Sequence, residues 1–473
     1  MAVAVDGVAT PDRRWRTFSA LAAAAALTIF DVSKVGVALP AIQSTMGGSP
    51  SIIQFMLVGY TLAYAATLLP SGRIGDVLPR RTVFLIGSTV FLLASMVCAL
   101  APSVEWLVMG RIVEGIGAGL LMPQVLGLIQ RTFPARERAK PLAALAATLS
   151  LTSLVSPVLA GAVMGVAGDA LGWRLLFWIS IAVTAVVLPY AAVSIREPAG
   201  ETRHGFDAAG TVLLVGAVAF TIAPLSSISE SLAIQPWMIA MTAVGIGFVV
   251  AFVLHERRLA RSGAEPLVDP DLFRLPHLPA GVLVSGCMHA AATAGTLIVT
   301  VGLQQIGTLS ALSTALWMLP SAGAALFGSW VASRFSATSG PIVAIGTGLG
   351  ALGLATQGFA FGTLDTAHLP PVVGGLLVLS SFGSGVAAPS NQARTLQRVP
   401  DYRSSVAGSL IQFAQRVGSA IGMALALILY YALFSAPTFA GRPASGPMVA
   451  LWAVSGFLVL ATVLAAADLR RGR

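Results

Sequence analysis

The chain has 473 residues, 56% of them hydrophobic and only 10% charged, with a mean hydropathy of +0.85. A water-facing shell needs about a quarter of all residues charged, so a soluble enzyme, a secreted disulfide scaffold and a disordered chain are excluded. The net charge of +9 comes from 28 Lys and Arg against 19 Asp and Glu, and only the placement of those cations can say what they serve.

A membrane crossing needs about 20 apolar residues. Runs of that size occur near 17–40, 53–70, 82–101, 104–129, 141–166, 173–194, 209–229, 236–254, 279–302, 311–333, 340–361, 369–391, 404–434 and 446–467, which predicts an all-α membrane protein of fourteen transmembrane helices. The segment through Arg16 is too polar for a cleaved signal peptide, and the run after it is long enough to span, so the first helix is expected to stay. Of the 28 basic residues, 23 fall in every second connection, from Arg13, Arg14 and Arg16 at one end to Arg470, Arg471 and Arg473 at the other. Such alternation is the positive-inside signature and puts both termini in the cytoplasm. The basic patches are therefore topology signals, and no nucleic acid is expected as a partner.

The connections around 195–208 and 255–278 bracket two spans with almost no polar side chains. Three units follow: residues 1–195 as a six-helix bundle, 196–278 as a linker with two lipid-facing accessory helices, and 279–473 as a second six-helix bundle. Pro266, Pro270, Pro276 and Pro279 mark the second connection as a tether.

Function should sit where polar groups are retained against the cost of the bilayer. Asp31, Lys34, Arg111, Glu114 and Arg416 lie within apolar runs, where each charge costs roughly 2.5 to 3.5 kcal/mol at a helix centre. They must pair or line a wet cavity. Asp31 and Lys34 are three residues apart, as are Arg111 and Glu114, so each couple shares a helix face. At 1.5 Å per residue the four sit roughly 10 to 14 Å from the same side, and the diagonal pairs Asp31 with Arg111 and Lys34 with Glu114 are expected. A carboxylate held this way can be unloaded by protonation when the network opens, so Asp31 is the leading proton-coupling group, with Glu114 and Lys34 as modulators and Arg111 as the reloading charge. The chain has 26 Arg but only two Lys, and an arginine cannot lose its proton whereas a desolvated lysine can, which adds Lys34 to the titrating set.

The second bundle has no acidic residue within its spans and offers amides instead. Gln304, Gln357, Asn391, Gln392, Gln412 and Gln415, with Arg416 and His289, are the candidate substrate contacts, although amides also serve as glue between helices. Cys98 and Cys287 form neither a CxxC nor a disulfide framework, and no metal site is indicated. There is no Walker sequence, no HExxH and no nucleophile with a base beside it. The chain is not expected to be an enzyme, needs no cofactor, and should draw on the proton gradient.

The loop from Gly72 to Arg81 combines tight-turn glycines at Gly72 and Gly75 with Asp76, which can pair with Arg80 or Arg81 and latch that side shut. In span five, Pro157 removes a ladder hydrogen bond and Gly161 permits close packing, a hinge that could seal the far side.

These residues also carry a resemblance. Gly72–Arg81, Phe30–Asp31–Val32 with Val37–Pro40, the set Arg111, Glu114, Gly115, Gly117 and Gly119, then Ser156–Pro157 with Ala160–Gly161, Trp173–Arg174 with Phe177, and finally Pro266–Phe273 fall in the order of the major facilitator superfamily. The likeness is to its fourteen-span drug:proton antiporter branch. It implies two six-helix bundles around a central cavity and alternating access. Lys34 and Glu114 depart from that pattern, as do Pro79 and Val77. The resulting expectation is a monomeric, proton-coupled antiporter in the bilayer of a bacterial inner (plasma) membrane, exporting amphiphilic small molecules or drugs. A dedicated exporter or flippase of a lipid or endogenous metabolite, and a non-transporting receptor or scaffold, are the alternatives.

Overall fold

A computed structural model describes residues 11–195, 207–226, 235–264, 266–335, 340–400, 403–434 and 445–471. All regular structure among them is helical. In chain order the helices are α1 (Pro11–Met46), α2 (Pro50–Val77), α3 (Arg80–Ala99), α4 (Val104–Thr132), α5 (Ala139–Ser194), α6 (Ala208–Ser226), α7 (Pro236–Arg261), α8 (Leu278–Gln305), α9 (Ala311–Ser333), α10 (Gly340–Thr363), α11 (Leu369–Leu396), α12 (Ser404–Phe434) and α13 (Ser445–Arg471).

Local chemistry sets several of the boundaries. Ser49 accepts a hydrogen bond from the amide of Ile52 at 3.3 Å and Pro50 follows it, which starts α2 with a capped first turn. Pro79 cannot continue that helix, and α3 begins immediately after it. Ser310 starts α9 in the same way, accepting from the amide of Ser313 at 3.1 Å.

Twelve helices among the described residues are long and apolar enough to cross a membrane, against the fourteen expected. The difference lies in two places. Residues Lys140–Ser194 count once, as a single 55-residue unit, and the apolar stretch Ala208–Thr221 of α6 is too short to count. Within α5 the helical ladder breaks at Gly168, whose φ of 71° is a left-handed conformation that only glycine adopts without strain. The two halves run in opposite directions. Trp173 donates to Thr45 at the end of α1 at 3.2 Å, and Arg174 donates to the carbonyls of Ala99 and Ala101 at 2.9 and 3.0 Å. Ser194, at the other end of the second half, accepts from Thr17 near the start of α1 at 2.9 Å.

α1 to α5 pack mainly on one another, and α8 to α13 do the same. The face where α1 begins and α13 ends is here called the termini face. In the second group it is fastened by Asp468, which accepts from His277 at 2.8 Å and from Arg394 at 2.8 Å, so α13 is tied to α8 and α11. On the opposite face the two groups meet. Gln54 donates to the carbonyl of Ala424 at 3.0 Å, Tyr431 to Gln43 at 3.1 Å and Gln304 to the carbonyl of Val37 at 3.4 Å.

The accessory pair differs from expectation in one respect. α7 is largely exposed, as a lipid-facing helix should be, but α6 packs against both α2 and α12 and buries Leu214, Ala217 and Val218. It closes the side of the seam between the two groups. Asp207 caps α6 by accepting from the amide of Gly210 at 2.8 Å and also meets His255 of α7 at 3.0 Å. Glu256 accepts from the amide of Val268 at 2.8 Å, which fastens the tether to the same pair.

Candidate functional site

Asp31 and Lys34 of α1 and Arg111 and Glu114 of α4 meet in one cluster, with none of the four residues more than 1% exposed. The i,i+3 spacing on each helix places each acid beside its own cation. Asp31 pairs directly with Lys34 and, across the helices, with Arg111. Arg111 donates to Glu114 at 2.7 Å, and Lys34 lies 3.8 Å from the other oxygen of Glu114. Both diagonal pairs expected from the sequence are therefore present, together with both couples along the helices. Two acids and two bases give a formal sum of zero, which is what a dry interior tolerates.

A further ring of groups holds the cluster, of which the sequence points only to Phe177, and to that as part of the resemblance and not of the cluster. Ser95 of α3 donates to Glu114 at 2.6 Å, and Lys34 donates to Ser180 of α5 at 2.8 Å. The Lys34 ammonium lies 4.1 Å from the centroid of Phe177, and the Arg111 guanidinium 4.0 Å from that of Tyr60. Serines and aromatic residues are common in spans and carry no charge signal, so nothing in their spacing marks them out. A third polar layer sits nearer the termini face, where Gln124 donates to the carbonyl of Ser71 at 2.7 Å and binds α4 to α2.

The other candidates are scattered. Gln357 is buried and donates to Ser380 at 3.0 Å, and Asn391 donates to the carbonyl of Gly281 and to Ser285, both at 2.9 Å. Those amides bridge helices of the second group. Gln392 is exposed, Gln304 belongs to the opposite-face contacts already described, and His289 is part-buried and bonded through Nδ1 to the carbonyl of Ser285 in its own helix at 3.1 Å. Gln412, Gln415 and Arg416 are part-buried on α12, and Arg416 lies 4.3 Å over the ring of Tyr64 in α2.

Of the gating candidates, the side chain of Asp76 lies outside the described residues, and so does its expected latch. Arg81 donates to the carbonyl of Ala192 at 2.7 Å and Arg80 reaches that of Pro123 at 3.5 Å, so both join α3 to helices of their own group. Gly72 and Gly75 do not form the expected tight turn: both lie inside α2, which runs on to Val77, and Gly72 is part-buried with open space about its Cα. Gly161, one turn beyond Pro157, is buried against the start of α9, where an added Cβ would lie 2.8 Å from the carbonyl oxygen of Ala311.

Comparison with known proteins agrees with this architecture. Residues 21–423 match the Major Facilitator Superfamily. The chain is 29% identical to a probable actinorhodin transporter of Streptomyces coelicolor, over 89% of this chain and 73% of that protein. It is also 29% identical to a lincomycin resistance protein of Streptomyces lincolnensis, over 98% of this chain and 92% of that one. Among solved structures, a bacterial homologue of the human lysosomal transporter Spinster superposes with a TM-score of 0.69 at 16% identity, covering 98% of each chain.

Proposed function

Because the chain belongs to the Major Facilitator Superfamily, we propose that it is a proton-coupled antiporter of the fourteen-span kind that exports amphiphilic small molecules from a bacterial cell. Membership makes it a membrane transporter and not an enzyme. The direction of transport is supported by relatives whose names speak of antibiotic transport and resistance. The fourteen-span count is supported by the reversal of α5 at Gly168 and by α6, whose 19 residues measure about 28 Å at 1.5 Å each. The weight of arginines on the termini face supports its assignment to the cytoplasm.

One observation carries the coupling: a charge-neutral, fully buried quartet of Asp31, Lys34, Arg111 and Glu114 between α1 and α4. With both carboxylates ionised the quartet is balanced and stays dry. A proton taken up by Asp31 leaves one unit of positive charge in excess, which favours entry of water and a looser packing of α1 on α4. Loss of that proton restores the balance and the closed form. The proton is bound on one side and released on the other as the two groups of helices rock about the site, and substrate occupies the space between them in the alternate half of the cycle. The contacts of Gln54, Tyr431, Gln304 and Gly161 close the opposite face in the form described here.

Transport into proteoliposomes under an imposed pH gradient tests the reading, with cationic, neutral and anionic amphiphiles offered together. Asp31→Asn is expected to abolish gradient-driven accumulation while substrate still binds. Accumulation by that variant at the native rate overturns the assignment of the proton site.

A further inference from the structure

Because the α1/α4 quartet sums to zero, it contributes little field to the seam between the two groups of helices. Arg416 is different. It lies about 18 Å along α12 from Ser404, near the middle of that 31-residue helix, and meets Tyr64 at the middle of α2. Among the described residues it makes no ion pair and no hydrogen bond; its contacts are the ring of Tyr64 and, through its charge, the imidazole of His289 on α8. Stacking on Tyr64 satisfies the electrostatic attraction of a guanidinium for a ring face but leaves its planar fork of five N–H donors unused. An arginine at this depth is costly to keep without a counter-charge.

The surroundings suit a ligand with one charged end. Residues 412–417 of α12 are all part-exposed, so protein does not seal this stretch off, while α6 packs on both α2 and α12 beside it. Beneath Arg416 lie Tyr64 and Tyr60, with ring centroids 6.1 Å apart at 83° and buried hydroxyls that find no hydrogen-bond partner among the described residues. The stack continues to Arg111, 4.0 Å over Tyr60, and so ends in the buried quartet.

We propose that Arg416, carried on the face of Tyr64, is the subsite that takes the anionic group of an exported amphiphile, a carboxylate, sulfonate or phenolate attached to an aromatic or alkyl body. The guanidinium supplies paired, charge-assisted hydrogen bonds to that group. The tyrosine stack gives its occupancy a direct mechanical route to Arg111. The proposal rests on the transporter reading for the nature of its ligand but not on proton coupling.

Binding to the full-length protein in nanodiscs separates the two. The probes are 1-naphthaleneacetate, its near-isosteric neutral amide and 2-(1-naphthyl)ethylamine, measured by equilibrium dialysis against empty nanodiscs and without a pH gradient. The native protein is expected to prefer the acid over the amide and the amine by about tenfold or more. In Arg416→Gln the acid-to-amide ratio should fall to about one, and Arg416→Lys should keep part of the preference because it keeps the charge. Equal binding of the three probes, no binding of any, a preference for the amine, or an undiminished ratio in Arg416→Gln overturns the proposal. If Arg416→Gln fails to fold, the native preference and the Arg416→Lys ratio decide it. A failed proton assignment would show instead as gradient-driven accumulation by Asp31→Asn with this charge preference intact.

Discussion

Asp31 and Arg111 stand 80 residues apart in the chain and form a direct ion pair in the fully buried space between α1 and α4. Each also pairs with the opposite charge three positions along its own helix, so any change to one member alters the balance felt by the other three. That interdependence yields a stability test that needs no substrate.

Lys34→Met leaves Asp31 and Glu114 to share Arg111, a net charge of minus one in a dry site. Breaking a buried pair from one side costs about 3 to 5 kcal/mol. Adding Glu114→Gln removes the excess charge, and a glutamine can still bond to Ser95 and Arg111. The double variant should therefore recover most of the lost stability. Thermal unfolding of the purified single and double variants in detergent checks this, and a double variant no more stable than Lys34→Met would show that charge balance does not hold the cluster together.

Tyr60 offers a second, finer test of the same site. Its buried hydroxyl has no hydrogen-bond partner among the described residues, so Tyr60→Phe, which removes a polar atom that gains no bond there, should not destabilise the protein. Its ring face, in contrast, lies under Arg111, and Tyr60→Leu removes a desolvated cation–π contact of about 2 kcal/mol. The difference between the two variants in thermal unfolding measures the ring. Equal losses would assign the effect to the hydroxyl.

The quartet was legible in the sequence because charge in an apolar run is costly and three-residue spacing fixes a shared face. Depth along α1 and α4 then sufficed to bring the couples level. Ser95, Ser180 and Tyr60 were not legible, and Phe177 was read only as part of the resemblance, since a serine that holds a lysine is written no differently from one that bonds its own helix, as Ser390 does to the carbonyl of Val386. The amides of the second group show the same limit. Composition places Gln357 and Asn391 inside spans, but only the crossing of the helices shows that Ser380, Gly281 and Ser285 receive their hydrogens. The reversal within α5 was visible as a gap between two apolar runs, whereas the role of α6 was not. A helix that faces lipid and one that closes a seam can be equally apolar, and only the partners α2 and α12 distinguish them.

Asn391 and Gln392 are neighbours in sequence with opposite surroundings. Asn391→Ala removes the two hydrogen bonds by which α11 holds α8, at the carbonyl of Gly281 and the hydroxyl of Ser285, a loss of about 1 to 3 kcal/mol. Gln392 is exposed, and Gln392→Ala should stay within about 0.5 kcal/mol of the native protein. Affinity for transported amphiphiles should follow neither change once folded protein is counted. A specific loss of binding in Asn391→Ala, at unchanged stability, would instead make that amide a substrate contact.

Gly161 provides the test of closure at the opposite face. A side chain there cannot be accommodated by a rotamer change, because the nearest atoms are the backbone of Ala311 and Leu312, each 2.8 Å from an added Cβ. The start of α9 must move away from α5, at a cost typical of overpacking, about 1 to 3 kcal/mol. Since α5 and α9 belong to different groups of helices, that cost falls on the closed contact and not on either group alone. Gly161→Val should therefore leave the unfolding temperature of each group nearly unchanged while shifting the population toward forms open at this face. Gln43 and Gln54 lie in the same layer, so a cysteine introduced at either position reports the opening through its labelling by a membrane-impermeant maleimide. Labelling in the Gly161→Val background should rise several-fold over the native background. An unchanged rate would mean that the α5–α9 contact does not seal that face.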